Sequence, residues 1–137
     1  MEQKKQTFIF SICDSLRKYN LTNEVKIFIA CQFALESNFG TSQLARNRNN
    51  FCGMKTPLVR ISSANNAGKP LEAYASYSSL NDCVDDYMLC IQYHRPMSTQ
   101  YDTIKHYTEF IRKFYCPEKD YIERIEKIVK DFLNIKN

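Results

Sequence analysis

A chain of 137 residues and 16.1 kDa has the usual size of a single domain, and its 44% apolar and 25% charged residues exclude a disordered, collagen-like or low-complexity chain. Only three glycines are present, with four prolines and no tryptophan, so few turns can depend on glycine and helices are favoured over a many-stranded sandwich or barrel. The formal charge of +4 suits an anionic partner without saying which one.

The first predicted helix covers about residues 4–19, with Phe8, Ile12 and Leu16 four apart on one face. Its start, Lys4-Lys5 followed by Phe8 to Cys13, imitates a signal peptide, but the run is short, Asp14 interrupts it, and no small-residue cleavage site follows. A soluble product without an export signal is expected. The second helix, about residues 23–38, takes Thr22 or Asn23 as its N-cap and is apolar nearly all round, which marks a central helix; it stops before Gly40. A short helical turn is expected from Ser42 to Arg46, with Asn47 to Asn50 as loop. Between Pro57 and Ser79 the period changes: Leu58, Arg60 and Ser62, the Asn65-Asn66-Ala67-Gly68 cluster, and Leu71 to Tyr77 predict a small β-hairpin.

Ser79 and Asp82 resemble a capping box that opens a helix running to about His94 and ended by Pro96. A further helix is predicted over about 102–114, and a last one from Pro117, with Tyr121, Ile125, Ile128, Val129 and Phe132 inward. The architecture expected from these elements is one mainly helical α+β domain spanning residues 1–137. No apolar run reaches the ~18 residues of a membrane span, so membrane insertion is not expected. The six cysteines are dispersed, form no C-x-x-C pair and have only His94 and His106 as companions. Buried reduced thiols are expected, with no metal site and no disulfide framework.

Glu36 is the conspicuous carboxylate. It follows Phe33-Ala34-Leu35 near the C-terminal end of the most apolar helix, on the face of Ile29, Gln32 and Phe33. Desolvation there, and the negative end of the helix dipole, would both favour the protonated form that a general acid needs. The competing reading is a helix-end Glu turned to solvent or paired with Arg46 or Arg48.

The string from Gln32 to Lys55, QFALESNFGTSQLARNRNNFCGMK, resembles the signature of the glycoside hydrolase family 73 N-acetylglucosaminidases, bacterial and phage peptidoglycan hydrolases with a lysozyme-like fold. The likeness extends to Tyr74 to Ser79 with Asp86-Tyr87, and to Phe114 to Pro117 with Tyr121, and so covers about residues 25–130. It implies a lysozyme-like domain of about six helices with a small hairpin lobe, and it makes Glu36 the catalytic acid. Phe39 stands where tryptophan is common in the family, and Cys52 where an aromatic is usual. By resemblance Tyr115 is the tyrosine that would orient a substrate acetamido group. Glu72 is the only acid between Glu36 and Asp82, so a catalytic carboxylate from the hairpin must be Glu72; a surface role competes with that. Gln32, Phe39, Asn50, Lys55, Tyr74 and Tyr77 complete the candidate substrate-binding set.

Residues 37–71 hold Arg46, Arg48, Lys55, Arg60 and Lys69 and no acid, so this segment carries +5 and the rest of the chain −1. An anionic polymer fits this lobe. Nucleic acid is not expected, because no recognition signature accompanies the charge. The expected activity is hydrolysis of the β-1,4 bond between N-acetylglucosamine and N-acetylmuramic acid in peptidoglycan glycan strands, by a monomer that needs no cofactor. A phage endolysin held in the host cytoplasm until lysis, or a virion-associated lysin, is the expected setting. The rivals are a lytic transglycosylase and a non-catalytic glycan-binding or virion structural domain.

Overall fold

The computed structural model describes residues 1–94, 103–116, 118 and 120–134, the side chains of 114 and 115 excepted. Among these residues are six α-helices: α1 (Gln3–Ser15), α2 (Asn23–Ser37), α3 (Gln43–Arg48), α4 (Leu80–His94), α5 (Ile104–Phe110) and α6 (Tyr121–Asn134). Pro96 and Pro117, expected to bound helices, lie outside the described residues. The predicted helix over 102–114 divides: α5 ends at Phe110 and the chain continues as a π-helical turn, Ile111–Tyr115, closed by the Cys116 N–H on the Ile111 carbonyl at 2.9 Å.

The caps explain where the helices begin. Thr22 accepts the Val25 N–H on its hydroxyl (3.2 Å), and Ser79 does the same for Asp82 (3.1 Å) at the head of α4. Ser42 caps α3 through the Ala45 N–H, and Asn49 ends that helix in the left-handed conformation (φ 51°). The helix therefore runs to Arg48, beyond the expected Arg46, because Asn tolerates the terminal turn.

The chain sorts into two compact units, the described parts of Met1–Leu35 with Gln100–Asn137, and of Glu36–Thr99. The boundary falls inside α2, between Leu35 and Glu36. In the first unit α1, most of α2, α5 and α6 bury Ile9, Ile12, Leu16, Phe28, Ile29, Phe33, Tyr107, Ile111, Tyr121 and Ile125. Edge-to-face rings, Phe28 on Tyr107 and Phe10 on Phe132, belong to this packing. Seven consecutive residues of α2, Phe28 to Ala34, are buried, as an all-round apolar helix requires.

The second unit holds α3, α4 and the segment between them, and here the predicted β-hairpin is not found. Only one antiparallel bridge, Lys55 with Tyr74, links the two sides among the described residues. Hydrogen bonds from Thr56 to Ala73 and from Ala75 to Met54 flank it, at 3.1 and 3.0 Å. The pairing thus lies nearer the ends of the segment than the expected strand at Leu58 to Ser62. The physical reason is burial: Leu58, Val59 and Ile61 are exposed, so no inward-facing apolar row stabilises a ladder there. Side-chain amides and carboxylates close the lobe instead. The turn at Asn65–Gly68 does form, with Gly68 at φ 82°.

Candidate active site

Glu36 is the penultimate residue of α2, just past the buried run, and its side chain is exposed rather than desolvated. The expected burial of this carboxyl is therefore corrected: the helix end places it at the surface. The chain then turns sharply through three consecutive residues with positive φ, Asn38 (48°), Phe39 (56°) and Gly40 (81°). A non-glycine residue seldom adopts this conformation, and two in succession need outside support. Ser37 supplies it. This buried serine accepts the Gly40 N–H on its hydroxyl at 2.9 Å, and its carbonyl receives the N–H groups of Thr41 and Ser42 at 3.0 and 2.9 Å.

The loop after α3 returns the chain to this carboxylate. Gly53, at φ 70°, approaches so closely that a Cβ on it would stand 3.1 Å from Glu36 Oε2. Asn50 fixes the loop. Its amide donates to the carbonyls of Met54 and Ala75 (2.8 and 2.9 Å), and its oxygen accepts the Met54 N–H (3.0 Å). Asn49 adds a bond from its amide to the Tyr77 carbonyl at 3.0 Å. Amides satisfied in this way specify one loop geometry.

A second polar cluster lies beneath the lobe, and sequence reasoning missed it. Asp86 of α4 is fully buried, paired with Arg60 through two bonds of 2.8 and 3.1 Å. It also accepts from the hydroxyls of Ser62 (2.6 Å) and Tyr77 (2.5 Å). Burial alone would raise this carboxyl, but the bonds from Arg60, Ser62 and Tyr77 outweigh it and hold it below the usual aspartate value. The available signal was position: Asp86 sits between Cys83 and Tyr87 on the buried stripe of α4, where a carboxylate requires a cation. Arg60 is accordingly not part of an open basic surface, its side chain being 8% exposed.

Glu72 lies two residues before the bridge residue Tyr74. Its carboxylate receives Asn66 Nδ2 at 2.9 Å and Arg48 at 3.3 Å, and these bonds hold it below the ordinary glutamate value. Arg48, Asn66, Lys69, Glu72 and Ser76 line an open polar basin of about 580 Å³. Of the +5 charge in this segment, two cations are thus matched by carboxylates within the unit, leaving Arg46, Lys55 and Lys69 as its surface charge.

The candidate substrate-binding residues divide by exposure. Lys55 and Tyr74 are exposed and paired by the bridge, and Phe39 is partly exposed in the left-handed turn. Three candidates are buried instead. Asn50 is buried and holds the loop; Tyr77 is 2% exposed and its hydroxyl serves Asp86; Gln32, in the first unit, is fully buried and accepts the Tyr107 hydroxyl at 2.6 Å. Each of these polar groups has a partner within the fold. Tyr115 closes the π-helical turn, and its side chain lies outside the described part. Among the described residues no group of three or more His, Cys, Asp or Glu side chains is arranged to hold a metal, and no helix is long and apolar enough to cross a membrane.

Glu36 thus stands exposed at a helix end, followed by a tight left-handed turn and approached by the Gly53 loop. A glucosaminidase family model, described as mannosyl-glycoprotein endo-beta-N-acetylglucosaminidase, matches residues 14–134. The chain belongs to the glucosaminidase family. Among other relatives of this glucosaminidase is Protein bax of Escherichia coli, 38% identical over 71 residues. That match spans 52% of this chain and only 25% of the relative. Two solved structures share the glucosaminidase's fold. A type VI secretion system effector-immunity complex from Pseudomonas protegens matches with a TM-score of 0.65 and 18% identity, covering 97% of this chain and 94% of that one. The catalytic domain of the autolysin Auto from Listeria monocytogenes matches with a TM-score of 0.63 and 22% identity, covering 97% and 86%.

Proposed function

We propose that this glucosaminidase cleaves the β-1,4 bond between N-acetylglucosamine and N-acetylmuramic acid in peptidoglycan, with Glu36 as the acid that protonates the leaving oxygen. The observation that carries the reading is the placement of Glu36 at an exposed helix end, where a Cβ on Gly53 would stand only 3.1 Å from its carboxyl. A polymer chain requires such an open site. The surface cations Arg46, Lys55 and Lys69 suit the lactyl and stem-peptide carboxylates of the wall, and exposed Tyr74 offers a ring for a sugar face.

For the other face of the sugar, the substrate's own 2-acetamido oxygen is the favoured nucleophile. Glu72 is engaged by Arg48 and Asn66 and held below its ordinary pKa, which weakens it as a base toward water. An acetamido-assisted reaction needs no protein nucleophile.

Digestion of purified peptidoglycan followed by mass spectrometry of the soluble muropeptides tests the proposal. New reducing N-acetylglucosamine ends, absent with Glu36→Gln, are expected. Anhydro-muramic ends would identify a lytic transglycosylase, and no release by the wild type would leave only glycan binding. Tyr115→Phe, assayed alongside, tests the orienting role that the resemblance gives this tyrosine.

A further inference from the structure

Two thiols that the proposed chemistry does not use lie side by side in the second unit. Cys52, in the Asn50-clamped loop, and Cys83, on the first turn of α4, place their sulfurs 3.7 Å apart. Both are fully buried, and neither is in a disulfide. The Phe51 N–H also points to Cys83 Sγ at 3.4 Å, so the backbone beside Cys52 is already held against the partner sulfur. The two sulfurs are in van der Waals contact, and a bond would draw them together to ~2.05 Å.

We infer that Cys52 and Cys83 are a latent disulfide site, which closes when the protein meets a disulfide oxidant and staples the Gly53 loop to α4. The chemistry is two exchange steps. The thiolate of one cysteine attacks a low-molecular-weight disulfide such as oxidised glutathione; the S–S bond of the oxidant breaks and one thiolate leaves. The second cysteine, deprotonated, attacks the protein sulfur of that mixed disulfide, forming the Cys52–Cys83 bond and expelling the second thiolate. Two protein thiols are oxidised, one oxidant disulfide is reduced to two thiols, and the two protons pass to the leaving thiolates or to buffer.

The same burial sets the rate. The hydrogen bond with Cys83 and desolvation raise the Cys52 thiol well above its ordinary value, so exchange requires the loop to open and quickens as pH rises. Once closed, the bond spans 31 residues of sequence and removes freedom from the unfolded chain. The loop it would hold carries Gly53, where a Cβ would stand 3.1 Å from Glu36 Oε2. The staple therefore stabilises the acid site without occupying it.

The experiment incubates the purified full chain with oxidised glutathione or with dithiothreitol, alkylates all remaining thiols after denaturation, and maps the linked peptides by mass spectrometry. A Cys52–Cys83 crosslink is expected in the oxidised sample, with the other four cysteines alkylated and a melting temperature about 10 °C higher than in the reduced sample. Cys83→Ala should remove both the crosslink and the shift, whereas Cys31→Ala, outside the pair, should keep them. Full alkylation of both Cys52 and Cys83 after prolonged oxidant exposure would overturn the inference, as would a crosslink between other cysteines. Because mapping needs no turnover, it stands or falls independently of the proposed hydrolase activity.

Discussion

Gly53 and Glu36 are in contact range: the space where a Cβ on Gly53 would sit is 3.1 Å from Glu36 Oε2. Glycine is required twice over at this position. Its φ of 70° is a left-handed conformation that an L side chain resists, and any side chain would press on the carboxyl. Gly53→Ala should cost about 1–2 kcal/mol of stability from the backbone and lower turnover on peptidoglycan roughly 10-fold by displacing the carboxyl. Thermal melts and initial rates measured together separate the two effects. A lowered melting temperature with unchanged turnover would show that Gly53 serves the turn alone.

Glu36→Gln removes the proton donor while keeping the shape. As the side chain is exposed and beyond the buried run of α2, the melting temperature should stay within a degree or so of wild type. Turnover should fall by ~10²-fold or more, the usual contribution of a general acid. Retained activity in this variant would remove Glu36 from the mechanism, whatever its resemblance to the family signature.

The buried pair of Asp86 and Arg60 predicts behaviour in acid. The folded-state pKa of Asp86 lies below the ordinary aspartate value, so the unfolded chain binds the proton more readily. The resulting stabilisation is fully present above that value and is lost as pH falls below it, through the folded pKa. Asp86→Asn should flatten this acid limb of a stability profile. It should also cost on the order of 3–5 kcal/mol near neutral pH, because Arg60 is left buried without its counter-charge. Urea melts across the acid range would check both; an unchanged acid limb would assign the pH response to other carboxylates.

What the chain disclosed in advance follows from the range of each interaction. Helix α2 and the final amphipathic helix were legible because their apolar spacing is local, as was Ser79 as a cap. The hairpin is not found because short-range alternation at Leu58 to Ser62 says nothing of burial: Leu58, Val59 and Ile61 face solvent, while Arg60 and Ser62 turn to Asp86. The lobe is closed by long-range polar bonds: Asn66 to Glu72 and Tyr74, Asn50 to Ala75, and Arg60 to Asp86 across 26 positions. No periodicity encodes such pairs. Tyr77 and Asn50 belong to the candidate sugar-binding set for the same reason: their polar groups are visible in the sequence and their buried partners are not.

Glu72 offers the sharpest test of the reaction's second half. Arg48 and Asn66 both hold its carboxylate, but the ion pair with Arg48 is more than a third exposed on each side, so solvent screens it. Glu72→Gln should therefore leave the melting temperature little changed while keeping the shape that Asn66 recognises. If the substrate's acetamido group attacks the anomeric carbon, turnover should stay within several-fold of wild type, and the product should keep the β configuration of the cleaved bond, as double displacement requires. NMR of the fresh reducing end reads that configuration before mutarotation. A loss of ~10²-fold together with an inverted product would instead make Glu72 the base that activates water, and its bonds to Arg48 and Asn66 would then have to yield when substrate binds.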